Sequence, residues 1–167
     1  MLVGVDARAL AARRGVARYT RRMVEALAAL DGVDVRALVP GTAPIEPVAG
    51  ADVRRTRIGS RVLHTAGAVA GYPRVDTLLG DVDVTWLPAP APVGVGDPYV
   101  LTIHDLSWED RPGDFTRYER LWHRVARPQA LARHARVVVC DAPAVAEEIA
   151  ARWDVPARVV EPGVDAV

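Results

Sequence analysis

His104 and Asp105 follow directly on the apolar run Tyr99 to Ile103. An imidazole beside a carboxylate can exchange protons, or hold a polar substrate, at neutral pH. A strand buried on both faces delivers the residues after it to the edge of its sheet, where open α/β sheets bind their ligands. A catalytic role for His104 and Asp105 is therefore favoured over the plainer reading, in which Asp105 caps the next turn and His104 only satisfies a backbone carbonyl. A second candidate is the loop from Asp6 to Gly15, which closes at the start of an amphipathic helix. Free N–H groups and the positive end of the helix dipole favour an anion there, and Gly15 places no Cβ between ligand and backbone. A glycine that merely makes the turn into the helix accounts for the same residue equally well. A third candidate is a stripe of Arg117, Arg120, Arg124 and Arg127 at spacings of three, four and three. Such a stripe suits a phosphate or an anionic lipid headgroup. The commoner use of one is a solvated face, and Glu119, Asp110 and Asp114 partly neutralise it.

Other chemistries are excluded or disfavoured. The first loop lacks G-x-G-x-x-G, and the glycine pair Gly94 and Gly96 precedes a strand, so a nicotinamide or flavin fold is disfavoured. All 21 basic residues are arginine, so no P-loop lysine exists. The lone Cys140 allows neither an intrachain disulfide nor a cysteine zinc site, and it reads as a buried thiol. His64, His123 and His134 stand at no metal-ligand spacing, so no metal is expected. Twenty-one basic residues balance 21 acidic ones, which argues against a nucleic-acid partner. No apolar run approaches the ~18 residues of a membrane span. A cytoplasmic location is expected, with contact between the arginine stripe and the inner face of an anionic membrane left open.

The elements that must position these residues alternate along all 167 positions. Strands are predicted at Leu2 to Asp6, Val33 to Val39, Val53 to Ile58, Val82 to Trp86, Tyr99 to Ile103, Val137 to Cys140 and Arg158 to Val160. A helix between the first two strands carries Val16, Tyr19, Met23, Leu27 and Leu30 on one face. Val62 to Leu79 reads as helix interrupted at Gly71 and Pro73, Phe115 to Arg133 as one long helix, and Pro143 to Trp153 as the last. In the long helix, Phe115, Tyr118, Leu121, Trp122 and Val125 are expected to share a face. The alternation predicts one α/β domain: a Rossmann-like, doubly wound parallel sheet covered on both faces.

With these motifs in order, the chain resembles the amino-terminal half of the family 4 retaining glycosyltransferases of the GT-B fold. Gly15, Val16, Arg18 and Tyr19 match the family's first loop, His104 and Asp105 its histidine-aspartate pair, and Glu161 to Asp165 its closing motif. Ala17 stands where the family has a second glycine, and Asp141, Ala142 and Pro143 where it starts a helix with serine. The resemblance implies that residues 1–167 form the acceptor-binding domain of a two-domain enzyme whose carboxyl-terminal, donor-binding domain lies outside this sequence. It implies hexose transfer, mannosyltransferase-like, from a nucleotide diphosphate sugar with retention, to a glycan, lipid-linked or small-molecule acceptor, without a further cofactor. The implied catalytic residues are His104, hydrogen-bonded to the sugar being transferred, and Asp105. Gly15, Val16 and Arg18 would bind substrate; apart from the resemblance, the spacing of the stripe makes Arg117, Arg120 and Arg124 further candidates for substrate binding. The domain alone is expected to be inactive. The alternative is a free-standing sugar-binding or anion-binding Rossmann-like domain without catalysis.

Overall fold

The computed structural model describes residues 1–11 and 15–163. Two parts of the sequence reading lie outside them: residues 12–14 of the first loop, and Val164 and Asp165 of the closing motif. Seven strands form a single sheet in the order β3-β2-β1-β4-β5-β6-β7, and every neighbouring pair is parallel. They are β1 (Leu2–Asp6), β2 (Asp34–Pro40), β3 (Ala51–Thr56), β4 (Val84–Leu87), β5 (Tyr99–Ile103), β6 (Val137–Cys140) and β7 (Ala157–Val159). The chain winds outward from β1 in one direction, returns, and winds outward again from β4, which makes the doubly wound arrangement of a Rossmann-like fold.

Alternation along the strands divides the core between the two faces. Val3, Val5, Val35, Ala37, Val39 and Trp86 pack with Val24 of helix α1 (Gly15–Ala28). Leu101, Ile103, Val138 and Cys140 face the other way, onto Ala132 of α6 (Pro128–His134) and onto Ile149 and Trp153 of α7 (Pro143–Trp153). Between these lie α2 (Ser60–Ala70), α3 (Val75–Leu79), α4 (Ser107–Asp110) and α5 (Arg117–Ala126). In α1 the most deeply buried residues are Thr20 and Val24, with Tyr19, Met23 and Leu27 beside them, whereas Leu30 lies beyond the end of the helix and is exposed.

The predicted long helix is two helices. Pro128 disfavours helical backbone at the residue before it, and Arg127 takes a left-handed conformation, φ 50°, that ends α5 and begins α6. A capping box starts α5: Thr116 Oγ1 accepts from the Glu119 N–H at 3.2 Å, while a Glu119 carboxylate oxygen accepts from the Thr116 N–H at 2.9 Å. The expected apolar face of this helix is also narrower than predicted. Trp122, Val125 and Ala126 turn inward, but Tyr118 and Leu121 are exposed. β3 runs two residues earlier than predicted, at Ala51–Thr56.

Candidate functional site

Pro88, His104 and Asp141 each come directly after a strand, β4, β5 and β6 respectively, and these three strands are neighbours. Parallel register therefore brings the three residues together at the carboxyl edge of the sheet. His104 Nδ1 lies 2.6 Å from Asp141 Oδ2, and Nε2 lies 2.9 Å from the Pro88 carbonyl oxygen. Both ring nitrogens thus face acceptors, so a neutral imidazole donates to one of them and an imidazolium to both. Tyr19 of α1 stands edge-on to the His104 ring at 4.8 Å and against Trp86 at 5.9 Å, and the Trp86 indole N–H donates to Thr102 Oγ1 at 2.9 Å. Burial pushes the Tyr19 phenol above its usual range; a hydrogen bond with Thr102 opposes this and the nearby Asp141 charge adds to it. Asp141 Oδ1 is buried and has no hydrogen-bond partner among the described residues.

A cleft of about 700 Å³ opens over this edge, and its walls include Gly15, Val16, Arg18, Tyr19, His104 and Asp141. The structure therefore gathers four of the sequence candidates, Gly15, Val16, Arg18 and His104, in one place. Gly15 is the first residue of α1, and a Cβ built on it meets none of the described residues within 4 Å. Packing against the described residues does not call for glycine there, in contrast to a glycine that makes a turn.

The other candidates stand elsewhere. Asp105 is exposed and caps the next turn: its Oδ1 accepts from the Ser107 N–H at 2.8 Å and from the Ser107 hydroxyl. Arg117, Arg120 and Arg124 are exposed on α5 and do not line the cleft. Asp141 and Tyr19 complete the His104 surroundings. The sequence signal for Asp141 was a polar residue ending an apolar strand, as His104 ends β5.

A separate polar cluster ties the amino end of the sheet's ligand edge. Buried Asp6 forms an ion pair with Arg8, whose guanidinium also donates to the Ala89 carbonyl at 3.1 Å and lies over the Trp122 ring at 5.7 Å. His64 packs edge-on against the same Trp122 at 4.6 Å. Burial, with the Arg8 charge adding, pushes His64 down to about 4. The Cys140 thiol is buried and raised by that burial, which suits packing better than nucleophilic work. Among the described residues no group of three His, Cys, Asp or Glu side chains could hold a metal ion, and no helix is long and apolar enough to cross a membrane.

A doubly wound parallel sheet with a ligand-sized cleft over its carboxyl edge defines a Rossmann-like α/β binding domain. Residues 13–167 match the family model described as Glycosyltransferase Family 4, and the chain belongs to that family. Comparison with curated proteins found no match. The activity the domain serves is accordingly glycosyl transfer.

Proposed function

We propose that this chain is the acceptor-binding half of a retaining hexosyltransferase, which works with a donor-binding domain that carries the nucleotide diphosphate sugar. The observation that supports this reading is the shared cleft. The amino end of α1 and the His104 ring, which lie far apart in the sequence, form walls of one cavity. Gly15 and the first N–H groups of α1 favour negative charge, as on a diphosphate, without a side chain in the way. Across the cleft, His104 is held by Asp141, Pro88 and Tyr19. When Nε2 carries a proton, a sugar hydroxyl can replace the Pro88 carbonyl as its acceptor, so the imidazole can orient the hexose without leaving its seat. Charge that develops on the sugar and the leaving phosphate meets groups already fixed in place, which is where most of the acceleration arises.

Asp105 enters this scheme as the residue that shapes the turn after His104, through its cap on Ser107. The experiment is a transfer assay with and without the donor-binding half. The two-domain enzyme should move sugar from a nucleotide donor to acceptor, and the 167-residue chain alone should move none, because one wall of the reaction cleft is then missing. Transfer by the isolated chain at the rate of the two-domain enzyme would reject the proposal in favour of a self-sufficient domain.

A further inference from the structure

A second cavity, of about 570 Å³, opens where α4, α5 and α6 meet, and among the described residues it shares none with the cleft. Four arginines line it: Arg120, Arg124, Arg127 and Arg133. The break at Arg127 assembles this set, because it turns α6 so that Arg127 and Arg133 join Arg120 and Arg124, while Arg117 is left outside. Two of the four are partly engaged by the fold. Arg120 donates to the Pro112 and Phe115 carbonyls at 3.1 Å each, and Arg133 to the Trp153 carbonyl at 3.4 Å. Arg124 and Arg127 have no carboxylate partner among the described residues. The carboxylate on the wall is Glu109, which already accepts from the Trp153 indole N–H at 3.0 Å and lies 3.8 Å from the Arg152 guanidinium. Trp108, stacked on His123 at 4.6 Å, adds a flat wall.

Like charges gathered around one cavity repel each other, and a bound anion relieves that repulsion. Guanidinium forks match phosphate oxygens in shape as well as in charge. We propose that this cavity is a second binding site, separate from the cleft, that takes a phosphate group carried either by a soluble phosphorylated molecule or by an anionic lipid headgroup. The proposal goes beyond glycosyl transfer and does not depend on it.

The test titrates the 167-residue chain at low ionic strength with inorganic pyrophosphate by calorimetry, and separately sediments it with phosphatidylglycerol or phosphatidylcholine vesicles. Arg124→Gln combined with Arg127→Gly removes the two uncommitted guanidiniums and leaves the ones that hold carbonyls. Glycine suits the left-handed backbone at position 127, so the variant should fold. Should it melt early, Arg124→Gln alone, at an exposed helical position, reads the same loss. The control is Arg117→Gln with Arg136→Gln, which removes equal charge outside the cavity. Saturable binding to pyrophosphate or to phosphatidylglycerol vesicles is expected. The cavity pair should weaken it by about tenfold or more, the scale of losing a hydrogen bond to a charged group, and the control pair by less than about twofold. Binding to pyrophosphate identifies a soluble phosphorylated ligand as sufficient, and binding to the vesicles alone identifies the lipid headgroup. Binding to neither probe, or an equal loss in the control pair, would overturn the proposal.

Discussion

Replacing Gly15 by valine separates the needs of the fold from the needs of the cleft. Gly15 opens α1, and a Cβ there meets none of the described residues within 4 Å, so the new side chain has room beside them. Glycine within a helix is less favourable than alanine by about 0.5–1 kcal/mol, and the restricted χ1 of valine offsets about half of any gain. The net change in stability is then within about 0.5 kcal/mol. For a chain of this size that moves the melting temperature by about 1–2 °C. The added carbon atoms stand at the wall of the cavity that His104 also lines. A displacement of about 1 Å in a bound reactant can cost about 10²-fold in rate, so turnover should fall by about that factor. The assays are thermal unfolding of the domain, and sugar transfer by the enzyme that pairs it with a donor-binding half. Wild-type turnover in the valine variant would refute the argument that substrate approaches the backbone at Gly15. So would a fall in melting temperature of more than about 5 °C, which would show a packing role that the open surroundings do not account for.

Other substitutions test the frame around the cleft. A Cβ at Gly94 would lie within 2.6 Å of the Gly71 carbonyl carbon and closer still to its oxygen. Backbone cannot swing aside as a side chain does, so Gly94→Ala should cost about 2–3 kcal/mol, seen as a lower denaturant midpoint. Asp6→Ala leaves the mostly buried Arg8 guanidinium without its carboxylate, and a loss of about 3 kcal/mol is expected in the same measurement. His64 gives a pH signature: the unfolded chain takes up a proton below about 6.5, whereas the folded chain resists until about 4. The unfolded state therefore binds more protons in that window, and stability should fall as the pH drops through it. Unfolding midpoints between pH 7 and pH 4 should show a shallower decline in His64→Leu than in the wild type.

The sheet was legible because β1, β5 and β6 are short apolar runs bounded by polar or turn residues, the pattern of strands buried on both faces. β3 was harder to place, since its exposed edge position leaves Arg54 and Arg55 in a strand that needs little apolar surface. The break at Arg127 was also readable in principle from Pro128, but the continuous amphipathic pattern from Phe115 outweighed it. Gly15 and His104 could be found because each sits where a strand or loop meets the ligand edge. Asp141 could not be paired with His104 from spacing alone: the two are 37 residues apart, and only the neighbouring, parallel placement of β5 and β6 aligns their ends. Two apolar strands that each run into a polar residue, His104 and Asp141, were the available signal. The arginine stripe shows the reverse case. Helical periodicity grouped Arg117 with the others, whereas the turn into α6 exchanged it for Arg133.

On the proposed function, the cleft over β5 and β6 is where sugar is handled, with His104 as its working side chain. The most direct test is the turnover of His104→Ala in the two-domain enzyme, measured well below its melting temperature. The substitution removes contacts to Asp141 at 2.6 Å and to Pro88 at 2.9 Å, so the domain should lose about 1–3 kcal/mol of stability yet stay folded. Turnover should fall by about 10²-fold, the scale of removing one preorganised charge-stabilising donor. A folded His104→Ala enzyme with turnover within about threefold of the wild type would rule out a working role for His104 and leave it as a clamp between strand ends.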